Sequence, residues 1–313
     1  MIPVENIKAH QPVLFDEVIT HLVTDTDGFY VDGTFGRGGH SKGILRQLTP
    51  KGRLLAYDKD KEAADSALEL KKYEPRFNFI HNGFENIKIS DFKTLGVKKP
   101  KGILLDLGLS SPQLDTASRG FSFMRSGDLD MRYDQNSEFS AYHLVNEYSE
   151  EKLVRVIRDY GEEVNAKLIV KRIILERDKE KIISTAQLAK LIEDTVRKKN
   201  NIHPATKTFQ AIRIAVNDEL NCISIFLNSL IDLLDIGGRV AIISFHSLED
   251  RLVKRFILKY STIPKAFLKL NEIPVNVNPR LKPVGKLIKP NLTEVSNNPR
   301  SRSARLRVFE KIR

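Results

Sequence analysis

With 313 residues, the chain is long enough for one large α/β domain carrying an insertion, or for two domains. It has 51 Lys and Arg against 40 Asp and Glu, a formal net charge of +11, and a single cysteine, Cys222. One thiol excludes an internal disulfide and a cysteine-rich zinc site, and no run of about 18 apolar residues marks a membrane span.

The opening residues lack the basic and then apolar pattern of a secretory signal, so none is expected, and the lone thiol points to a reducing, cytoplasmic location. The next hundred residues alternate short apolar runs with helical patterns. FYVD (29–32) reads as a strand, followed by a glycine-rich loop and a helix over SKGILRQL. GRLLAYD (52–58) is a second strand with KEAADSALELKKY as its helix. FNFIHN (77–82) and KGILLDLGLS (101–110) read as the third and fourth strands. Such alternation predicts a parallel, doubly wound α/β sheet. Residues 112–135 read as loop. Helices are expected over Glu150 to Tyr160, Asn165 to Arg177 and Thr185 to Lys199, the last starting at Ser184-Thr185. HPATKTFQAIRIAVNDEL leads into one long apolar helix that ends at Asp235, where Gly237 and Gly238 stop it. RVAIISF (239–245) is a fifth strand. The proline-rich segment 263–299 is expected to be extended, and RSARLRVFEKI alternates as an edge strand would. The predicted architecture is a discontinuous sheet domain, residues 1–112 and 215–313. A helical insertion, 113–214, interrupts it between the fourth and fifth strands.

The loop VDGTFGRGGH (31–40) crowds four glycines into seven positions directly after a strand. A P-loop is a weak match, because no lysine follows at the required place. A dinucleotide fingerprint is only partly matched: Gly36 and Gly38 fit, but its third position is Ser41. S-adenosylmethionine is the third option, with its carboxylate near a helix N-terminus. Asp58 follows Gly36 by 22 residues, where an acid can accept hydrogen bonds from both ribose hydroxyls of an adenosine. That fits NAD and S-adenosylmethionine equally. Asp106, at the end of the fourth strand, discriminates better: a carboxylate there suits a cationic amino-acid moiety and is an awkward neighbour for pyrophosphate. Ser110-Ser111-Pro112-Gln113 follows. Enzymes that methylate exocyclic base amines carry a short polar residue plus proline at this strand end. The amine lone pair is delocalised into the ring, and oxygens accepting its N–H bonds position it for in-line attack. Ser111 and Pro112 are therefore the candidates for orienting a base amine. Sulfonium is a good leaving group, so no metal is expected.

With these residues assembled, the chain resembles the bacterial small-subunit (16S) rRNA cytosine-N4 methyltransferases, which modify a cytidine in the decoding region. The matching motifs span nearly the whole chain. They begin with His10-Gln11-Pro12-Val13-Leu14, Glu17-Val18, DGTFGRGGHS, LLAYDKD and ILLDLGLSSPQLD. RGFSF, LDMR, HPATKTFQAIRIAVN, IISFHSLEDRLVKRF and NPRSRSARLR complete them. The resemblance implies a class I S-adenosylmethionine methyltransferase sheet with a helical inserted domain that recognises RNA. It also implies S-adenosylmethionine as methyl donor, and small-subunit rRNA or the 30S subunit as partner. It places cofactor contacts at Gly38, Gly39, His40, Asp58, Phe84, Asp106 and Gln113. Phe84 is expected against the adenine ring, with Asp106 and Gln113 at the methionine end. One departure is visible: the family reads G-P-L-D-M-R-M where this chain has Gly127-Asp128-Leu129-Asp130-Met131-Arg132-Tyr133. Losing that proline is expected to loosen the loop.

Basic residues point to a polyanion. From Pro264 to Arg313, twelve Lys and Arg face three acids. Arg300, Arg302, Arg305 and Arg307 are the phosphate-contact candidates, in two pairs on faces of an extended segment. Arg251, Lys254 and Arg255 are expected on a helix surface near RNA. Phe121 and Phe123 are candidates for stacking on a flipped cytosine. His246 either lines the base pocket or makes a structural hydrogen bond. A hydrolytic triad of His246 and Asp250 with Ser244 or Ser247 would leave the glycine loop and Asp58 unexplained. The rivals to a methyltransferase are a non-catalytic nucleotide-binding RNA assembly factor and an NAD-dependent dehydrogenase. A homodimer is compatible with the sequence but not specified by it.

Overall fold

Five runs of mostly apolar residues form parallel strands: β1 (Phe29–Asp32), β2 (Arg53–Asp58), β3 (Phe77–His81), β4 (Gly102–Asp106) and β5 (Arg239–Ser244). Burial on both faces explains why β1 and β4 read as continuous rather than alternating apolar runs. Two further strands, β6 (Leu281–Pro283) and β7 (Arg305–Lys311), complete a seven-stranded sheet of order β3-β2-β1-β4-β5-β7-β6. Strand β7 runs antiparallel to both of its neighbours. In this computed structural model the described residues are 12–196, 203–267, 274 and 277–313. His10 and Gln11 of the first motif, and the stretch around Lys199, lie outside them.

The helices in chain order are α1 (Phe15–Leu22), α2 (Gly39–Gln47), α3 (Lys61–Tyr73), α4 (Ile89–Thr94) and α5 (Ser111–Asp115). Then come α6 (Ala141–Glu147), α7 (Glu150–Gly161), α8 (Ala166–Arg177), α9 (Thr185–Thr195) and α10 (Thr206–Asn217). The last three are α11 (Glu219–Leu233), α12 (Ser247–Ser261) and α13 (Leu292–Asn297). Their ends follow local chemistry. Asp60 accepts the Glu62 N–H at 2.9 Å to open α3, and Lys71 and Lys72 sit in its last turn, where cations suit the helix dipole. Ser184 and Gln187 form the reciprocal capping box that starts α9, as its sequence predicts. Among the described residues no single helix is long and apolar enough to cross a membrane.

The chain forms two compact units, residues 1–108 with 220–313, and residues 109–219. In the first, side chains on the two faces of the sheet build two cores, one around Val31, Leu105, Phe226 and Ile242, the other around Leu14, Tyr30, Ile44 and Leu306. The second is all helical and packs around Leu144, Ile157, Ile169, Ile192 and Phe209.

Several expectations are corrected. The long helix expected to run to Asp235 is two helices, because Asp218 adopts a left-handed conformation (φ 50°) between α10 and α11. The C-terminal strand is not an edge: β7 lies between β5 and β6, and the edge is the three-residue β6. Segment 263–299 is only partly extended, since it also holds a 3-10 turn at Lys265–Phe267 and helix α13. Within 112–135, α5 and a 3-10 turn at Ala117–Arg119 replace part of the loop. Nor is the loop around Asp128 loosely held. The Met131 N–H donates to the Arg119 carbonyl, Leu129 N–H to Ile183, and Thr185 N–H to Gly127, at 3.0, 3.2 and 2.8 Å. Gly120 closes this loop in the left-handed region (φ 70°), and a Cβ there would meet the Asp128 carbonyl oxygen at 2.3 Å.

Candidate active site

The glycine loop leaves β1 at Asp32, a residue only 1% exposed. Its carboxylate accepts the Ser41 hydroxyl at 2.7 Å and the Thr34 N–H at 3.1 Å, so it bridges the start of the loop to the first turn of α2. Burial raises its pKa, and the Ser41 hydrogen bond opposes that rise. Thr34 Oγ1 in turn accepts the Asp106 N–H at 2.6 Å, fixing the end of β4 to the loop. Gly33 N–H bonds the Leu104 carbonyl, and Phe35 N–H bonds that of Tyr57, both at 2.9 Å. The loop is thereby tied to β4 on one side and β2 on the other, where the strand order reverses. That reversal is where ligands bind in open α/β sheets.

Bare backbone is required here by contact. A Cβ on Gly33 would lie 2.4 Å from Leu105 Cδ2 and 2.9 Å from Phe84 Cβ. Gly33→Ala is therefore expected to cost about 1–3 kcal/mol of stability by overpacking, read from denaturant midpoints at unchanged m-value. Gly36 and Gly38 take φ of 55° and 74°, and a Cβ on Gly39 would lie 2.4 Å from Pro12 Cγ.

Asp58 ends β2 and faces the loop. Its Oδ2 accepts the Gly36 N–H at 2.7 Å and its Oδ1 accepts the Asp60 N–H at 2.9 Å. Burial pushes the carboxyl up to about 6, against these two hydrogen bonds. His40, on the first turn of α2, is 6% exposed, and among the described residues neither ring nitrogen has a hydrogen-bond partner. Its Nε2 lies 3.6 Å from Asp106 Oδ2. Two unsatisfied nitrogens in a buried ring are costly unless a ligand or water satisfies them. Phe84 opens a 3-10 turn just after β3 and meets Phe226 edge-on, with ring centroids 5.9 Å apart.

Gly38, Gly39, His40, Asp58, Phe84 and Asp106 thus gather at the carboxyl ends of β1 to β4, as expected. The orphaned His40 nitrogens, the glycine cradle and the two strand-end carboxylates fit S-adenosylmethionine, which offers a ribose, an ammonium and a carboxylate. Asp32, Thr34 and Ser41 were not anticipated. The available signal was an acid closing an otherwise apolar strand directly before the glycines.

The remaining candidates are each held by local contacts. Gln113 is buried, and its Oε1 accepts the Ser110 N–H at 2.9 Å, capping α5. Pro112 stands in the first turn of that helix, while the Ser111 side chain lies outside the described residues. Phe121 is 7% exposed and stacks on Tyr133, centroids 5.4 Å apart, and Phe123 packs on His203 and Phe209 at 4.6 and 4.9 Å. Both anchor the core of the helical unit, so neither is an exposed platform for a base. His246 caps α12: its Nδ1 accepts the Glu249 N–H at 3.4 Å, and its Nε2 lies 3.0 Å from Glu249 Oε1. With His246 held by Glu249, Ser244 Oγ buried without a partner and Asp250 held by arginines, no hydrolytic triad is assembled around Ser244 among the described residues.

Arg251, Lys254 and Arg255 are exposed on α12 as expected. Arg300 and Arg302 are exposed too, but on a 3-10 turn (Pro299–Ser303) rather than an extended segment. Arg305 and Arg307 do share one face of β7, and that face looks at Asp250. Arg307 donates to both Asp250 oxygens, at 2.6 and 3.2 Å, and Arg305 to one at 3.2 Å. They form a structural ion cluster rather than an open phosphate grip.

Comparison with known proteins agrees with this geometry. The MraW methylase family matches residues 7–312. A curated relative from Coxiella burnetii (strain Dugway 5J108-111), "Ribosomal RNA small subunit methyltransferase H", is 46% identical over 312 residues, covering 98% of this chain and 100% of the relative. A relative of the same name from Clostridioides difficile (strain 630) is 46% identical over 313 residues, covering 97% and 99%. These near full-length matches agree with the sheet and its glycine loop: the chain belongs to the MraW methylase family.

Proposed function

We propose that the protein methylates the N4 amine of a cytidine in the decoding region of small-subunit rRNA, on 30S subunits in the cytoplasm. The observation that carries the cofactor half of this reading is the buried His40 ring beside Asp106, which finds no hydrogen-bond partner at either nitrogen among the described residues. The substrate half is supported by the relatives' name and by the Ser111-Pro112 turn that follows β4.

When bound, S-adenosylmethionine supplies a methyl group on an electrophilic sulfonium. Asp58 is assigned the ribose hydroxyls, which its ionised carboxylate accepts. Phe84 would pack beside the adenine, and Asp106 would face the ammonium. Gly38, Gly39 and His40 open α2, and the positive end of that helix would face the carboxylate. The turn at Ser111 and Pro112 orients the base amine, its oxygens accepting the amine N–H bonds and drawing the lone pair out of ring conjugation. Gln113 caps α5 and thereby holds that turn in shape.

The test is methyl transfer to small subunits purified from cells lacking this protein, read by mass spectrometry of rRNA nucleosides. N4-methylcytidine is the expected product. A methyl group at carbon 5 or on a ribose would overturn the amine assignment. Calorimetric binding of NAD in place of S-adenosylmethionine would overturn the cofactor roles.

A further inference from the structure

The helical unit, residues 109–219, holds 18 Lys and Arg and 18 Asp and Glu, so it is electrically neutral. Of the chain's 51 basic and 40 acidic residues, 33 and 22 remain in the sheet unit, which therefore carries the entire net charge of +11. An RNA backbone is held chiefly by cations that displace its condensed counterions, so the neutral insertion is poorly equipped for that task.

Within the sheet unit, α12 concentrates the charge on one face. Arg251, Lys254, Arg255 and Lys259 recur at helical spacing and are all exposed. The acids of the same helix are turned away: Glu249 is 1% exposed and accepts the Phe245 N–H, and Asp250 is 7% exposed and held by Arg305 and Arg307. The sequence of α12 is of mixed charge, yet its outward face is cationic. Strand β6 adjoins it: the Arg280 N–H bonds the Tyr260 carbonyl at 2.8 Å, and Leu281 belongs to the same core as Phe256 and Ile257 of α12.

We propose that the outward face of α12 is the main phosphate-contacting surface of the protein, and that the helical insertion is not. The occupant is an RNA backbone, which rests on the rRNA reading above. The ion cluster at Asp250 builds this surface indirectly, by neutralising the one acid that stands next to Arg251.

The experiment measures binding of the full-length protein to small-subunit rRNA across a salt series. Two triple variants are compared with the unsubstituted protein. One is Lys254→Ala with Arg255→Ala and Lys259→Ala; the other is Lys167→Ala with Lys171→Ala and Arg172→Ala, on the exposed side of α8. The first is expected to reduce the slope of log K against log salt by about 2, since each lost phosphate contact removes about 0.7–0.9. Its retained calorimetric binding of S-adenosylmethionine reports that the sheet unit is folded. The second is expected to leave the slope unchanged. An unchanged slope in the first variant, or an equal loss in the second, overturns the placement while leaving the rRNA substrate standing. If the unsubstituted protein binds rRNA with no salt dependence, the rRNA reading itself fails and the surface fails with it.

Discussion

Asp58→Asn is expected to weaken S-adenosylmethionine binding by one to two orders of magnitude while leaving RNA binding unchanged. Hydrogen bonds to a charged acceptor contribute about 1.5–3 kcal/mol each, and every 1.4 kcal/mol is about tenfold in affinity. The substitution keeps the shape but removes the charge. One of the two oxygens that receive the Gly36 and Asp60 N–H groups becomes a donor, so the loop also loses an anchor. Calorimetry with cofactor and filter binding with rRNA separate the two effects, and equal losses in both would remove Asp58 from the ribose site.

The pH dependence gives a second check on the same carboxyl. With its pKa pushed up to about 6, Asp58 is ionised at pH 8 and largely protonated at pH 5. Cofactor affinity of the unsubstituted protein is expected to fall as pH drops through 6, and Asp58→Asn should flatten that fall. Stability runs the other way. A carboxyl whose folded pKa is raised favours the fold most below its ordinary range near 4, and that contribution disappears as pH rises through about 6. The ligand-free Asp58→Asn protein should therefore match or exceed the unsubstituted protein in stability at pH 8. A site that binds worse but folds better is the trade expected where a buried charge is kept for its ligand.

Most of the sheet was legible because parallel strands buried on both faces leave continuous apolar runs. FYVD, RLLAYD, GILLD and RVAIIS all read directly as β1, β2, β4 and β5. Strand β6 was not legible: three residues, Leu281–Pro283, carry no periodicity, and they pair only because β7 offers them an edge. The break at Asp218 was hidden because α10 and α11 are both apolar and only one left-handed residue parts them. At the site, the glycines, Asp58 and Asp106 stood out because each ends a strand. Asp32 did not, since its partner Ser41 lies beyond the loop and the bond depends on how α2 enters. Phe121 and Phe123 show the limit of reading aromatics in a loop. A ring that stacks on a base and one that anchors a loop look alike until Tyr133 and Phe209 are placed beside them. The arginines of β7 pose the same problem in charge: alternation put Arg305 and Arg307 on one face, but what that face meets comes from α12, some fifty residues earlier.

That cluster carries the second large prediction. Arg307→Ala is expected to destabilise the protein by about 3 kcal/mol at neutral pH, because it strips the bidentate partner from a carboxylate only 10% exposed. Arg305, with 39% of its side chain exposed and one contact at 3.2 Å, should cost about 1 kcal/mol or less when replaced by Ala. Arg307→Lys should not restore stability, since a single ammonium cannot bond both oxygens as the guanidinium fork does. Burial works to raise the Asp250 carboxyl, but Arg307 and then Arg305 outweigh it and hold it below the usual carboxylate range. A depressed folded pKa stabilises above the unfolded value near 4 and ceases to do so as pH falls through the folded one. The gap between Arg307→Ala and the unsubstituted protein should thus be full at pH 7 and close only as pH falls through the depressed folded value, where Asp250 is protonated and no longer needs a partner. Denaturant titrations across that range measure it directly. An Arg307→Ala protein of unchanged stability whose rRNA binding has lost about 0.7–0.9 of its salt slope would instead return this arginine to the phosphate surface. The acid beside Arg251 would then be neutralised by something other than β7.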